Sequence, residues 1–290
     1  MDGVLVIDKP AGCTSHDVVA RTRRILGLKR IGHLGTLDPL ATGVLPLVVG
    51  RATRLAQFFR GRDKVYEGRM RLGFATDSYD RSGACIGEIT DDLPDRAELE
   101  LICREFTGAL QQVPPPVSAK KIGGVEAYKL ARKKMDVDLP PSSVHVMEFT
   151  ILDFDAPFAR FRVHCSGGTY VRSLVHDLGR RAGCGAHVDE LRRTASGEFL
   201  DEQAVTLERL AELVAENRVA EALVPAEKML PEIPCYKVPP MVVPAVLSGR
   251  DFRTVPPMNS PVIKVLSHEG KLIAMADRAD MGFFHPSIVL

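Results

Sequence analysis

The sequence is organised around one stretch, Gly32-His33-Leu34-Gly35-Thr36-Leu37-Asp38-Pro39-Leu40-Ala41-Thr42-Gly43. Its three glycines and one proline specify an irregular backbone, and its single acidic side chain is Asp38. A carboxylate among apolar neighbours is costly to keep charged unless a cation or several N–H donors meet it. Asp38 is therefore either a functional carboxylate or an aspartate that shapes the turn before a proline. We expect residues 31–50, which are mostly uncharged, to form an ordered and buried loop.

The segments around this loop predict both strands and helices. Residues 4–8 form a short apolar run typical of a buried strand, and apolar side chains then recur at helical spacing up to Gly27. After the loop, Tyr66 lies on the apolar side of an alternating segment that predicts a half-buried strand. A second alternating strand precedes a helix whose first turn contains Tyr170 and Arg172.

Length and composition predict an ordinary globular chain. The 290 residues are 45% hydrophobic and 26% charged, which excludes collagen-like, disordered and coiled-coil classes and suits one large domain with one small one. Prolines are dense between residues 225 and 244. We therefore expect one mixed α/β domain over residues 1–230 and a small β-rich module over residues 235–290.

The formal net charge of +1 hides charge segregation along the chain. Residues 1–72 carry thirteen basic and six acidic side chains, a net +7, whereas residues 73–112 carry three and nine, a net −6. Such blocks suit a protein with one basic, phosphate-binding face, but they equally suit solvated helix faces. Composition alone does not choose between the two.

Neither a membrane protein nor a cysteine-based site is expected. No apolar run has the length of a membrane helix, and the first residues do not resemble a signal peptide, so a cytoplasmic location is the default expectation. The six cysteines are scattered and contain no C-x-x-C pair, which argues against zinc and a disulfide framework.

Five ordered motifs resemble those of a known family, the TruB family of pseudouridine synthases that modify uridine 55 in the T arm of tRNA. The resembling segments are Asp8-Lys9-Pro10-Ala11-Gly12-Cys13-Thr14-Ser15-His16-Asp17, Gly32–Gly43, Lys64-Val65-Tyr66, Ser166-Gly167-Gly168-Thr169-Tyr170-Val171-Arg172-Ser173-Leu174 and Leu191-Arg192-Arg193-Thr194. The resemblance implies a catalytic fold built on a largely antiparallel, bent sheet. The C-terminal residues are similar to the small PUA RNA-binding module.

The resemblance also implies the chemistry. Uridine becomes pseudouridine when the C1′–N1 bond breaks, the uracil turns and C5 joins C1′, which requires no cofactor and no metal. The resemblance assigns the role of catalytic carboxylate to Asp38, which either attacks C1′ or removes a sugar proton. Without the resemblance, the spacing alone favours the turn-forming aspartate described above.

Further residues are assigned by the same resemblance. Arg172 pairs with the Asp38 carboxylate, Tyr66 stacks on the flipped base and takes part in moving the C5 proton, and Tyr170 and Leu191 form the other pocket walls. His33 enters the gap left by the flipped nucleotide. Taken singly, the two tyrosines and the leucine could be core residues and His33 an ordinary loop histidine.

The basic insertion over about residues 113–134 resembles the one with which these enzymes grip the T arm. Candidate contacts to the RNA backbone are Lys9, Lys120, Lys121 and Arg132. The expected partner is tRNA, with no membrane and no obligate protein partner, and the protein is expected to be a monomer. The insertion favours this stand-alone form over the guide-RNA-dependent relatives. A non-catalytic tRNA-folding protein and a nucleoside hydrolase remain as alternatives from other classes.

Overall fold

The computed structural model describes residues 1–117, 121–122, 125–126, 140–280 and 282–290, with the backbone alone described at 121–122 and 125–126. The described α-helices are α1 (Ser15–Leu26), α2 (Arg96–Glu105), α3 (Val171–Arg181), α4 (Leu207–Ala215) and α5 (Val243–Leu247). Short 3-10 helices span Gly50–Phe59, Asp201–Gln203, Val219–Glu221, Ala226–Lys228 and Pro240–Val242. No helix in these described ranges is long and apolar enough to cross a membrane.

The strands fall into two large sheets and two small hairpins. In chain order they are β1 (Gly3–Lys9), β2 (Ile31–His33), β3 (Thr42–Val49), β4 (Lys64–Leu72), β5 (Ala75–Thr76), β6 (Cys85–Ile86), β7 (Gly108–Gln112), β8 (Lys121–Ile122), β9 (Val125–Glu126), β10 (Ser142–Asp155), β11 (Phe158–Cys165), β12 (Ala186–Ser196), β13 (Phe199–Leu200), β14 (Leu223–Pro225), β15 (Cys235–Lys237), β16 (Phe252–Arg253), β17 (Val262–Leu266), β18 (Leu272–Asp280) and β19 (Phe283–Val289).

The main sheet has the strand order β14-β1-β3-β12-β4-β11-β10-β7, with β2 added to β3 and β13 to β12. Its pairings are antiparallel except that of β3 with β12. The predicted mixed α/β fold with a largely antiparallel sheet is confirmed. The parallel pairing of β3 with β12 brings Thr42 and Gly43, at the end of the stretch that contains Asp38, beside Arg192 and Arg193.

The prediction of one continuous loop over residues 31–50 is wrong at both ends. Ile31–His33 and Thr42–Val49 are strands, and only the residues between them, around Asp38, are irregular. Thr42–Val49 is almost entirely buried, so its side chains are apolar without the alternation that marks a half-buried strand. The irregular segment is therefore short and anchored by a strand on each side.

Helices α1 and α3 cover the face of β4 on which Tyr66 lies. One apolar cluster joins Val18 of α1, Leu174 of α3 and both Tyr66 and Met70 of β4. Helix α1 begins with a capping box between Thr14 and Asp17 and ends at Gly27, whose positive φ of 65° terminates it.

The C-terminal sheet has the order β15-β17-β18-β19-β16. It packs on the main sheet through an apolar cluster that contains Val4 and Val44 together with Leu272 and Met275. The predicted β-rich character of the C-terminal residues is therefore confirmed, whereas the boundaries at residues 230 and 235 stay a prediction.

Candidate active site

Three side chains from separate elements hold the segment that contains Asp38. Ser15 Oγ, at the start of α1, donates to the Leu37 carbonyl at 3.0 Å and accepts from the Leu37 amide at 2.8 Å. Arg193 of β12 donates to the carbonyls of Gly35 and Thr36. Lys9, at the end of β1, holds the residues after Asp38. The irregular backbone is thus fixed on both sides of the carboxylate.

Lys9 is not a contact to the RNA backbone, and that prediction is wrong. Its side chain is fully buried, and Nζ donates to the carbonyls of Ala41 at 2.7 Å, Pro10 at 3.0 Å and Pro39 at 3.3 Å. Burial lowers the pKa of the ammonium, and the nearby Asp38 acts in the opposite direction. The ammonium therefore stabilises loop backbone inside the protein. Because it is buried, it cannot reach a phosphate outside.

A Lys9→Met variant tests this correction. We expect a loss of at least about 1.5 kcal/mol in the free energy of unfolding, because three buried carbonyls lose a charged donor. We expect the salt dependence of tRNA binding to match that of the unaltered protein, because no surface cation is removed. Urea unfolding and binding titrations at several salt concentrations measure both. A flatter salt dependence with unchanged stability would restore Lys9 to the RNA interface.

Arg172 pairs with Asp38 through two parallel hydrogen bonds. Nε donates to Oδ2 at 2.8 Å and Nη2 to Oδ1 at 3.0 Å, across 134 residues of sequence. The arginine side chain is only 4% exposed, whereas that of Asp38 is 34% exposed. The bidentate geometry fixes the plane of the carboxylate and leaves part of it accessible from the cavity.

The remaining donors of Arg172 bind elements that the sequence motifs do not include. Nη1 donates to the Ser78 carbonyl at 2.9 Å and lies 3.5 Å from the Asp80 carboxylate, and Nη2 also donates to the Val117 carbonyl at 2.9 Å. Asp80 is itself buried and accepts hydrogen bonds from Ser78 and Ser82. Arg172 is therefore flanked by two carboxylates and held in one orientation.

Tyr79 keeps the Ser78–Asp80 segment in place. Its backbone has a positive φ of 64°, which for a side chain other than glycine costs about 1–3 kcal/mol. Its ring stacks on His176 of α3 with centroids 3.7 Å apart and planes 12° apart. Burial lowers the pKa of His176 to about 4, so the imidazole in this stack is neutral near pH 7. The stack ties the segment to the helix that carries Arg172.

All six residues that the sequence places at the pocket line one cavity of about 530 Å³: His33, Asp38, Tyr66, Tyr170, Arg172 and Leu191. Tyr66 and Leu191 come from the adjacent strands β4 and β12, and Tyr66 is 7% exposed. Burial raises the pKa of the Tyr66 phenol, whereas the charge of Arg193 and a hydrogen bond from it act in the opposite direction. The cavity thus has an ion pair on one side and an aromatic ring on another.

Tyr170 and His33 line the cavity, and the backbone that carries them is held in place. Gln112, buried at the end of β7, accepts from the Tyr170 amide at 2.8 Å and donates to its carbonyl at 3.0 Å. Tyr170 is the residue before the first turn of α3, one position earlier than expected. The His33 imidazole is half-buried, and burial together with the charge of Arg193 lowers its pKa.

The predicted contacts in the basic insertion lie largely outside the described residues. Lys120 and Arg132 are not described, and Lys121 is described only as part of the backbone of β8. Within the described ranges, no three His, Cys, Asp or Glu side chains are grouped as a metal site requires.

Sequence reasoning missed Asp80, Gln112 and the buried role of Arg193. Asp80 stands in an acidic segment whose other members are exposed or half-exposed, so charge alone does not single it out. Gln112 and Arg193 are polar side chains in strands. Of these three residues, only Arg193 could have been found from the sequence, because it belongs to the motif Leu191-Arg192-Arg193-Thr194.

Comparisons with known proteins identify the family of the chain. Residues 23–171 match the model of the TruB family pseudouridylate synthase N-terminal domain, and residues 172–231 match the tRNA pseudouridylate synthase B C-terminal domain. A protein of Solibacter usitatus named tRNA pseudouridine synthase B is 50% identical over 293 residues and covers all of both chains. One of the same name from Geobacillus thermodenitrificans is 44% identical over 87% of this chain and 86% of its own.

Solved structures also resemble the chain. A protein in an H/ACA ribonucleoprotein bound to a substrate RNA containing 2′-deoxyuridine is 28% identical and has a TM-score of 0.72 over 99% of this chain and 84% of that one. A chain of the archaeal box H/ACA Nop10-Cbf5 complex is 29% identical, with a TM-score of 0.70 over 99% and 85%. Together with the matched domains, these relatives show that the chain belongs to the TruB family of pseudouridylate synthases.

Proposed function

We propose that the protein isomerises uridine 55 in the T arm of tRNA to pseudouridine, with Asp38 as the catalytic carboxylate. The observation that carries the proposal is the bidentate Asp38–Arg172 pair, which faces a cavity walled by Tyr66 and Leu191. The family to which the chain belongs and the names of its relatives support the reaction and the class of RNA.

The target nucleotide must leave its loop before Asp38 can reach the ribose. A base that is flipped out loses its stacking, at a cost of a few kcal/mol. Tyr66 offers a ring face in the cavity, and stacking on such a ring contributes roughly 1–3 kcal/mol per base. His33, which is half-buried and lines the same cavity, occupies the gap in the RNA under this proposal. Tyr66 thus offsets part of the cost of flipping.

The chemical step needs one accessible carboxylate at a fixed position. In one route Asp38 attacks C1′ while the C1′–N1 bond breaks, and uracil C5 later displaces the resulting glycosyl ester. In the other route Asp38 removes a sugar proton while the C1′–N1 bond breaks, and it returns that proton when C5 adds to the glycal. In both routes the uracil stays in the cavity while it turns, and the C5 proton is lost as N1 gains one. Arg172 keeps the carboxylate aimed at the ribose throughout.

Pseudouridine mapping tests this function. The full chain is incubated with an unmodified tRNA transcript, and pseudouridine is located nucleotide by nucleotide. We expect a single modified position, uridine 55, and none in a transcript with cytidine at that position. Modification elsewhere in the tRNA would refute the T-arm assignment, and the absence of pseudouridine, with or without free uracil, would refute the reaction.

The basic insertion supplies a second test of the substrate. If Lys120 and Lys121 neutralise phosphates of the T arm, then replacing both by Gln lowers the slope of log affinity against log salt by about 1.5. Binding titrations from low to high salt measure this slope. The matched control replaces two solvent-accessible arginines of the acidic stretch around α4, Arg209 and Arg218, by Gln. An unchanged slope in the Lys120/Lys121 variant would remove the insertion from the RNA interface.

We place the catalytic domain at residues 1–230 and an RNA-binding module, similar to PUA, at residues 235–290. The C-terminal sheet starts at Cys235, which supports this division. The buried Lys264 of this sheet donates to the carbonyls of Met229 at 2.7 Å and Glu227 at 3.2 Å. The module is thereby fixed against the last residues of the catalytic domain.

A further inference from the structure

Arg193 is a fully buried arginine beside the cavity that the proposed chemistry leaves without a role. It has no exposed surface and lies directly opposite Tyr66 in the antiparallel pairing of β12 with β4. Its neighbour Arg192 is half-exposed and pairs with Asp8 and Asp201. Two adjacent arginines of one motif therefore have different surroundings, and only Arg193 faces the site.

The Arg193 guanidinium holds the backbone of two parts of the site and acts on a third. Nε donates to the Val44 carbonyl of β3 at 2.8 Å, and Nη1 and Nη2 donate to the carbonyls of Thr36 at 3.3 Å and Gly35 at 3.2 Å. Tyr66 lies directly across the strand pair from Arg193, whose positive charge opposes the effect of burial on the pKa of the phenol. One planar group thus holds the backbone before Asp38 and lies on the same face of the sheet as the Tyr66 ring.

Among the described residues, Arg193 has no carboxylate partner within ion-pair distance, although buried charges are normally paired because an unpaired one costs several kcal/mol. Its hydrogen-bond acceptors are backbone carbonyls. The charge acts on the cavity wall, since it lowers the pKa of both His33 and Lys64 in addition to the larger effect of burial. A residue that only held the backbone together would not need a permanent charge at position 193.

We propose that Arg193 is a positioning residue for Tyr66: its guanidinium fixes the phenol hydroxyl and the Gly35–Thr36 backbone together, so that the ring and Asp38 meet the same nucleotide in register. The inference rests on the proposed function and adds a residue to it. Arg193 touches neither substrate nor solvent, and its effect passes through the Tyr66 hydroxyl.

A double-mutant cycle tests this coupling. Single-turnover rate constants for pseudouridine formation are measured for Arg193→Met, Tyr66→Phe and the double variant, together with their affinities for the transcript. We expect Arg193→Met to lower the rate constant by about 100-fold in the unaltered protein and by less than about 10-fold in the Tyr66→Phe background. Affinity should change less than about 3-fold, since Arg193 lies below the surface.

Two further variants keep the result interpretable. Arg193→Lys retains the charge and part of the donors, and should fold and recover at least one tenth of the normal rate even if Arg193→Met unfolds. Arg162→Met, on the opposite face of the sheet, where Arg162 pairs with Glu67, is the matched control and should keep the normal rate. Equal losses from the Arg193 substitutions with and without the Tyr66 hydroxyl would overturn the inference. Failure of the unaltered protein to form pseudouridine would instead overturn the proposed function.

Discussion

Asp38→Asn is expected to reduce pseudouridine formation by at least about 1,000-fold while leaving affinity for tRNA within a few-fold of normal. Asparagine has nearly the same size and can still accept one hydrogen bond from Arg172, so the cavity keeps its shape. What is lost is the negative oxygen that attacks C1′ or takes a sugar proton. The defect therefore falls on the chemical step and not on binding.

Single-turnover kinetics and equilibrium binding separate these two effects. Asp77→Asn serves as the matched control, because the Asp77 carboxylate accepts a hydrogen bond from the Ala84 amide in the segment next to the site but does not line the cavity. The control should turn over at close to the normal rate. Normal turnover by Asp38→Asn would show that Asp38 is only the turn-forming aspartate that its position before Pro39 also permits.

Arg172→Met is expected to have the second largest effect, on stability as well as on activity. The substitution leaves Asp38 and the buried Asp80 without their shared cation and leaves the Ser78 and Val117 carbonyls without a donor. Removing one partner of a buried ion pair costs roughly 3–5 kcal/mol. Urea unfolding should show this loss, and pseudouridine formation should fall at least about 100-fold in the fraction that stays folded.

Arg172→Lys distinguishes geometry from charge. Lysine restores one positive charge but cannot make two parallel hydrogen bonds to Asp38 and also reach both carbonyls. We expect it to recover part of the stability and little of the activity. Full activity in Arg172→Lys would mean that charge alone suffices and that the bidentate geometry is not needed.

The pattern of residues drew attention to two positions but did not assign their roles. Asp38 is the single acid in a stretch of glycines and apolar residues, and Tyr66 lies on the apolar side of an alternating strand. The resemblance assigned both residues to the site, together with Arg172, His33, Tyr170 and Leu191. The structure places all of these at one cavity, while their chemical roles stay predictions.

The sequence failed where tertiary contacts decide what a polar residue does. Lys9 looks like any basic residue near a turn, and only the fold reveals that its ammonium binds the carbonyls of the distant Pro39 and Ala41 in addition to that of the adjacent Pro10. Asp80 and Gln112 act through partners far away in the chain, and no local pattern encodes such pairs. The sequence predicts a loop at Thr42–Val49 because a strand buried on both faces shows no alternation.

The most direct test of the account is the structure of the full chain bound to a T-arm RNA. We predict that nucleotide 55 leaves the RNA loop, that its base stacks on Tyr66 and that an Asp38 carboxylate oxygen lies about 3–3.5 Å from the reacting atoms of the ribose. A complex in which this nucleotide remains stacked in the RNA, or in which its sugar lies far from Asp38, would contradict it.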